Sequence, residues 1–286
     1  MPANSLQDRC EYFENVIVMR ILLKILLRIS IVIIALYLII CGLLYTFQER
    51  FIFFPQKLSS DYRFNFPQTF EEIDIRTPDN TNLNGVIFKS ESSKGLIFYL
   101  HGNGGAINSW GNVAKAYTDL NYDVFILDYR GYGKSEGKIE NQTQIYEDIQ
   151  FAYDLLKQRY IEENIIVLGY SIGTGLASKI ASDNNPKLLI LQAPYYSMID
   201  MMRHSYSFAP TFILKYRFNN LENIKKCQMP IVIFHGNNDE VIYYGSSLKL
   251  KDQLSSKDTL ITLQGQRHNG MTYNKDYIKA LEKIIE

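Results

Sequence analysis

The chain has few cysteines and no excess of basic over acidic residues. Its 286 residues include only three cysteines and four histidines, and its 30 basic side chains equal its 30 acidic ones. Because Cys10, Cys41 and Cys227 lie far apart, we expect no intramolecular disulfide framework. A nucleic-acid partner needs a basic surface, and a formal net charge of zero supplies none. The sequence also contains no internal repeat or low-complexity tract.

Charged side chains are missing from one long stretch near the N-terminus. Residues 29–47 carry none, whereas residues 1–28 are first polar and then apolar with three basic residues, Arg20, Lys24 and Arg28. At a rise of about 1.5 Å per residue, the uncharged run nearly crosses a hydrocarbon core. We therefore expect a transmembrane helix over residues 29–47. A cleaved signal peptide is the alternative, but the run is long for one and no Ala-x-Ala site follows.

The basic residues around this run favour one orientation in the membrane. Four basic side chains lie in the twenty residues before it and three in the twenty after it. The positive-inside rule therefore favours a cytoplasmic N-terminus, with the rest of the chain on the non-cytoplasmic side. Residues 48–69 form a linker whose aromatic side chains suit the membrane–water interface or one end of a globular core.

Residues 70–286 alternate short apolar runs with stretches of helical periodicity. This alternation predicts an α/β fold with a mostly parallel eight-stranded sheet, covered by helices on both faces. The predicted strands are 70–76, 83–89, 95–100, 122–127, 165–169, 187–191, 230–234 and 259–263. Residues 195–229 interrupt the alternation and are rich in methionine and aromatics. They are either a short lid over an apolar pocket or ordinary packing.

The strand that starts at residue 165 runs directly into a Gly-x-Ser-x-Gly motif, centred on Ser171. Small residues follow, which is typical of a helix start. In such a strand–turn–helix the serine adopts a strained backbone angle, and side chains at Gly169 and Gly173 would collide across the bend. The bend holds the hydroxyl above the sheet at a helix N-terminus. We therefore predict that Ser171 is the nucleophile of an acyl-transfer reaction.

A serine hydroxyl needs a general base, and the four histidines allow a choice. His101 and His235 each close a predicted strand and suit structural roles, while His204 lies in the insertion. His268 follows the last strand in a loop that can reach across the strand ends, so it is the predicted base. Asp239 follows the preceding strand by a short turn and is the predicted acid. This gives the chain order Ser, Asp, His that such an architecture requires.

Acyl transfer also needs donors for the oxyanion. The backbone N–H of Ile172, directly after the serine, is the first predicted donor. The second is the N–H of Asn103, in a glycine-rich loop that follows a strand. A phosphate-binding role for these glycines is disfavoured because no Gly-Lys-Ser/Thr follows them.

These motifs together resemble the α/β-hydrolase superfamily over residues 70–286, and more narrowly its Bem46-like branch of α/β-hydrolase domain-containing proteins 13 and 17. The matching pieces are residues 48–55, HGNGG at 101–105, DYRGYG at 128–133, GYSIG at 169–173, HGNND at 235–239 and HN at 268–269. The resemblance implies ester, thioester or amide hydrolysis that requires neither a metal nor an organic cofactor.

The sequence is therefore interpreted as a membrane-anchored serine hydrolase that cleaves a lipid or another acyl ester or thioester, with the bilayer as partner and no nucleic acid. One alternative is a serine peptidase of aminopeptidase type on the same fold. That activity would need carboxylates in the insertion to bind a free amine, and the insertion offers only Asp200 and Glu222. The other alternative is a catalytically silent scaffold, which the complete triad disfavours.

Overall fold

The computed structural model describes the backbone of residues 6–286, and their side chains from residue 10 onward. The chain divides into two compact units, Met1–Gln48 and Glu49–Glu286. In the first unit a single helix, α1 (Leu6–Thr46), runs through the described part of the predicted N-terminal segment and through the predicted span. Its part Cys10–Thr46 is long and apolar enough to cross a membrane. Residues 1–5 lie outside the described residues.

The second unit contains the predicted α/β architecture. Its strands are β1 (Phe54–Pro55), β2 (Phe70–Arg76), β3 (Asn82–Phe88), β4 (Leu96–Leu100), β5 (Gly104–Gly105), β6 (Asp123–Leu127), β7 (Ile165–Tyr170), β8 (Leu188–Gln192), β9 (Ile231–Gly236) and β10 (Thr259–Leu263). The helices after α1 are α2 (Gln48–Ile52), α3 (Ile107–Trp110), α4 (Lys115–Thr118), α5 (Gln142–Lys157), α6 (Gly173–Asp183), α7 (Met198–Ser205), α8 (Asn220–Ile224), α9 (Gly245–Lys251) and α10 (Lys275–Ile285). Short 3-10 turns cover Gly111–Ala114, Glu162–Asn164, Thr211–Ile213 and Met271–Tyr273.

Eight strands form one sheet in the order β10-β9-β8-β7-β4-β6-β3-β2. The pairs β2·β3 and β3·β6 are antiparallel, and the five other neighbouring pairs are parallel. The predicted fold class, a mostly parallel eight-stranded sheet, is confirmed. Strand β7, which leads to Ser171, lies near the middle of the sheet between β4 and β8. The carboxyl ends of these parallel strands therefore meet around the serine.

The central strands are buried on both faces, which explains their unbroken apolar runs. Every residue of β4, β6, β7 and β8 is buried. In β4, Phe98 packs in a cluster with residues of α5 and α6, while its neighbours Ile97 and Tyr99 pack in a second cluster with α10. Because successive side chains in a strand point to opposite faces, one apolar strand supplies both halves of the core.

The predicted insertion, residues 195–229, is partly packed into the core and partly exposed. Tyr216 and Phe218 are fully buried and belong to the core, whereas Tyr206 and Phe212 are 60% and 76% exposed. The insertion also contacts the turn after Ser171, because the Tyr195 hydroxyl donates to the Ile172 carbonyl oxygen at 3.3 Å.

Candidate active site

The turn between β7 and α6 has the strained geometry that the motif predicts. Ser171 has a φ of 54°, in the left-handed region that non-glycine residues rarely occupy. A Cβ on Gly169 would lie 2.5 Å from the carbonyl oxygen of Gly173, and one on Gly173 would lie 2.1 Å from that of Leu100. Both positions therefore require glycine, and the turn directs the Ser171 side chain towards the carboxyl edge of the sheet.

The structure brings the three predicted triad residues together in hydrogen-bonding order. The Ser171 Oγ lies 3.1 Å from His268 Nε2, and His268 Nδ1 lies 2.7 Å from Asp239 Oδ2. Ser171 and His268 are 7% and 6% exposed, and the Asp239 side chain is fully buried. With the Nδ1 proton donated to Asp239, His268 Nε2 is left free to accept the serine proton.

Asp239 is fixed by more than its bond to His268. The backbone N–H groups of Val241 and Ile242 both donate to its Oδ1 at 2.8 Å. His235 Nε2 lies 3.3 Å from the other oxygen, Oδ2. Burial alone would raise the pKa of Asp239, but the hydrogen bonds from His235 and His268 outweigh it and hold the pKa well below its usual range. The carboxyl group is therefore ionised at neutral pH.

The site also includes two side chains that we did not predict there. They contact the triad or the residues around it. The Tyr170 hydroxyl donates a hydrogen bond to the backbone carbonyl oxygen of His268. His235, expected only to have a structural role at a strand end, is fully buried and held on both ring nitrogens, with Nδ1 2.6 Å from Ser247 Oγ and Nε2 3.0 Å from the Ile242 carbonyl oxygen. Tyr170 is the variable residue of the serine motif, so the pattern carries no signal for its role.

The glycine-rich loop holds the second predicted oxyanion donor. Gly105 has a φ of 88°, which favours glycine. Among the hydrogen bonds of residues 6–286, none uses the backbone N–H of Asn103 or of Ile172 as a donor. The Tyr132 hydroxyl donates to the Asn103 carbonyl oxygen at 2.8 Å, and Trp110 Nε1 donates to the Gly104 carbonyl oxygen at 2.7 Å. Within the described part of the chain, both predicted donors are therefore without a protein acceptor.

A buried carboxyl group lies beneath this loop. Asp128 Oδ1 accepts the backbone N–H of Ile107 at 3.0 Å and lies 3.6 Å from His101 Nε2. Burial raises the pKa of Asp128 to about 8, against smaller opposing effects of the Ile107 N–H and of Lys57, and burial lowers the pKa of His101 to about 4. Both side chains are therefore neutral at pH 7.

We expect the Asp128→Asn variant to remove part of the pH dependence of stability. A carboxyl group with a raised pKa in the folded protein contributes its full stabilisation below its unfolded pKa of about 4. This contribution to the free energy of unfolding is lost as the pH rises through about 8, the pKa of Asp128 in the folded protein. The free energy of unfolding should therefore fall with pH in this range by at most about 1.4 kcal/mol per unit from this group. Asparagine keeps an acceptor for Ile107 but cannot ionise.

Urea unfolding of both proteins at pH 5, 6, 7 and 8 measures this effect. The wild-type protein should lose stability relative to Asp128→Asn as pH rises. Parallel curves would show that Asp128 is ionised in the folded protein at every pH in the series.

Within the described residues 6–286, no group of three or more His, Cys, Asp or Glu side chains could hold a metal ion. A buried serine, an imidazole and an ionised carboxylate in line, at the carboxyl edge of a mostly parallel sheet, define the class of α/β hydrolases.

Comparison with known proteins narrows this class. A family model described as serine aminopeptidase, S33, matches residues 91–222. The chain is 30% identical over 202 residues to α/β hydrolase domain-containing protein 17B of Homo sapiens, with 68% of each chain covered. It is 29% identical over 226 residues to protein bem46 of Schizosaccharomyces pombe, with 73% of this chain and 75% of that protein covered. The chain belongs to the α/β-hydrolase family, in its Bem46-like branch.

Two further comparisons set the limits of this likeness. The match to protein 17C of Xenopus tropicalis, at 30% identity, covers 68% of this chain but 63% of that protein's length. The esterase Pf2001 of Pyrococcus furiosus has a TM-score of 0.66 and 18% identity, over 82% of this chain and 96% of that one. At this identity the likeness concerns the fold alone.

Proposed function

We propose that this protein is a membrane-anchored serine hydrolase that cleaves an acyl ester or thioester of a lipid or an acylated substrate. The observation that carries the proposal is the line of hydrogen-bonding atoms from Ser171 Oγ through His268 to Asp239, with separations of 3.1 and 2.7 Å. This arrangement supplies a nucleophile, a base and an ionised carboxylate that stabilises the charged base.

The proposed reaction proceeds through an acyl-enzyme. Ser171 attacks the acyl carbonyl carbon as His268 Nε2 takes its proton, and Asp239 stabilises the imidazolium that forms. The backbone N–H groups of Asn103 and Ile172 bind the oxyanion. His268 then gives the proton to the leaving alcohol or thiol. Water, activated by the same histidine, releases the acid and restores the serine.

Two features favour a lipid or acylated substrate. The helix Cys10–Thr46 is long and apolar enough to hold the enzyme at a bilayer. The insertion, which touches the turn after Ser171 through Tyr195, presents the exposed rings of Tyr206 and Phe212. Exposed aromatics on a segment beside the site suit an apolar chain or a lipid surface.

An aminopeptidase is the second candidate, because the matching family model carries that description. Binding a free amine would require a carboxylate available to the substrate. Asp200, in the insertion, already accepts hydrogen bonds from Lys249 Nζ at 2.6 Å and from the Tyr243 hydroxyl. Glu222 is exposed on α8. Because Lys249 and Tyr243 already bind the Asp200 carboxylate, we rank the aminopeptidase second.

The orientation of the catalytic unit is part of the proposal. Because the basic residues before the span outnumber those after it by four to three, we place residues 49–286 on the non-cytoplasmic side. Protease added to intact cells or spheroplasts should then digest this unit without lysis.

Deleting residues 1–47 is expected to separate membrane attachment from the chemistry. Residues Glu49–Glu286 form their own compact unit and contain every proposed catalytic group. The truncated protein should leave the membrane fraction and cleave a short p-nitrophenyl ester at the full-length rate within about twofold, while cleavage of a long-chain ester in vesicles falls selectively. Neither form should cleave an aminoacyl p-nitroanilide faster than the short ester.

Initial rates of both forms on the three substrates provide the measurement. Equal loss of both ester activities would show that the helix is needed by the catalytic unit rather than acting as a tether. Preferential cleavage of the anilide would favour the aminopeptidase.

A further inference from the structure

The segment that follows α2 runs along the glycine-rich loop. We call residues 53–58 the strap. Phe54 and Pro55 of the strap form a parallel pair of residues with Gly104 and Gly105, and the Gln56 N–H donates to the Gly105 carbonyl oxygen at 3.1 Å. The loop that carries the proposed oxyanion donor is therefore bordered by a strand belonging to the segment that follows the helix.

The strap also makes one specific contact with the side chain of Asn103. The backbone N–H of Phe54 donates to Asn103 Oδ1 at 3.0 Å. The Phe54 ring does not explain this placement, because the residue is 55% exposed. Phe54 is therefore held in place by its backbone hydrogen bond to Asn103, and its exposed ring takes no part in this contact.

The strap has a second fixed partner, which keeps it rigid. The Gly133 N–H donates to the Gln56 carbonyl oxygen at 2.8 Å, and the Leu58 N–H donates to the Gly133 carbonyl oxygen at 2.9 Å. Lys57 Nζ donates to the Ser135 carbonyl oxygen. The neighbouring Phe53 is buried and packs edge to face on Tyr216, with the ring centroids 5.1 Å apart.

Asn103 needs such a support. The loop around it contains three glycines, Gly102, Gly104 and Gly105, and glycine restricts the backbone least of all residues. An oxyanion donor contributes most when its direction is set before the reaction, since reorganisation in the transition state slows the step. A loop of this composition cannot fix one N–H by its own backbone preferences, so contacts from outside must do so.

We propose that the strap is a positioning element of the oxyanion hole, which holds Asn103 through the hydrogen bond from the Phe54 N–H to its side chain. This inference rests on the proposed function, since it assumes that the Asn103 N–H binds the oxyanion. It adds that the strap, near the start of the catalytic unit, sets the geometry of the site.

The test compares full-length variants in detergent micelles. Asn103→Ala removes the acceptor Oδ1 but keeps the backbone N–H, and Phe54→Pro removes the donor from the other side. Asn112→Ala is the matched control, because Asn112 is exposed and its side chain donates to the Ser109 carbonyl oxygen at 3.1 Å. For a short p-nitrophenyl ester we expect kcat of Asn103→Ala to fall about tenfold, with KM within about twofold of wild type.

Two more readouts separate positioning from a general loss of structure. A boronic acid that forms a tetrahedral adduct with the serine should bind Asn103→Ala about tenfold more weakly, in step with kcat. The double variant Asn103→Ala/Phe54→Pro should be no slower than the slower single variant, because both changes remove the bond from the Phe54 N–H to Asn103 Oδ1. The longer bond from the Tyr132 hydroxyl to the same oxygen, at 3.3 Å, is lost in Asn103→Ala and in the double variant alike. Asn112→Ala should match the wild type in kcat, in KM and in its affinity for the boronic acid.

The inference is overturned if Asn103→Ala keeps kcat within twofold of wild type, if only KM changes, or if the losses of the single variants multiply in the double. Because Phe54→Pro could unfold the strap, Asn103→Ala alone decides the first two outcomes. Hydrogen–deuterium exchange of residues 102–106 should be faster in Asn103→Ala than in Asn112→Ala, and unchanged exchange also overturns the inference. A wild-type enzyme without esterase activity but with this exchange difference would contradict the proposed function and not the hold of the strap on the loop.

Discussion

Replacing Ser171 by alanine is expected to abolish ester hydrolysis while the fold and membrane attachment remain. The hydroxyl lies 3.1 Å from His268 Nε2 and is the only group of the triad placed to form the acyl-enzyme. Loss of a triad nucleophile lowers kcat by on the order of 10⁶. The residual rate should come from water acting in the oxyanion hole.

This variant should fold normally. Alanine keeps a Cβ at the same φ of 54°, so the strain of the turn is unchanged. Among residues 6–286 the hydrogen bond of the Ser171 hydroxyl is to the His268 ring, so its loss leaves no backbone group there without a partner.

Ser182→Ala is the matched control for this measurement. Ser182 lies on α6, the helix that follows the Ser171 turn, and its hydroxyl donates to the Lys179 carbonyl oxygen at 2.8 Å, within that helix. Its kcat should equal that of the wild type. Steady-state kinetics and thermal unfolding of the two variants give the comparison, and undiminished turnover by Ser171→Ala would remove the serine from the mechanism.

The Asp239→Asn variant is expected to lower kcat by about 10⁴. The structure gives the reason, because it fixes the orientation of the new amide. The backbone N–H groups of Val241 and Ile242 both donate to Oδ1 at 2.8 Å, so the amide oxygen occupies that position. The NH₂ group then takes the place of Oδ2, 2.7 Å from His268 Nδ1.

An amide donor at that position reverses the tautomer of the base. His268 must accept at Nδ1 and carry its proton on Nε2, which faces Ser171 and can then no longer take the serine proton. His235 Nε2, 3.3 Å from the same position, would also face a donor.

Asp200→Asn serves as the control for the acid. Its carboxylate bonds Lys249 and Tyr243 and does not contact His268. We expect its kcat to stay within about twofold of wild type, since a partly exposed ion pair contributes little free energy. If Asp200→Asn were the inactive variant and Asp239→Asn the active one, the acid would come from the insertion.

Strand positions and the three triad residues could be predicted because local sequence decides them. The central strands are apolar throughout since both faces are buried, and glycine is required at 169 and 173 by contacts within the turn itself. The predicted strands 70–76 and 259–263 match β2 and β10, and the other six lie within about two residues of the observed ones.

Contacts between distant parts of the chain could not be predicted. The bond from Tyr170 to His268 joins residues 98 positions apart, and the bond from Phe54 to Asn103 joins residues 49 apart. These residues lie in the recognised motifs, but the motifs do not show which of their atoms bond across the fold.

The alternation of strands and helices also predicts a helical stretch from the glycine-rich loop to about residue 120, and this stretch is another case. The structure divides this stretch into α3, a 3-10 turn at Gly111–Ala114 and α4. At Gly111 an added Cβ would lie 2.4 Å from the ring of Phe66, which approaches from a distant part of the chain. A side chain that only the folded chain brings close therefore leaves no room for a Cβ at position 111.

Labelling of the intact protein with a fluorophosphonate, followed by mass spectrometry of its peptides, tests the proposed serine chemistry most directly. Such a probe reacts with a serine that an adjacent base activates. We expect a single adduct on the peptide that contains Ser171, absent from Ser171→Ala and retained by Ser182→Ala. Absence of an adduct from the folded wild-type protein, or an adduct on a serine other than Ser171, would contradict the proposed function.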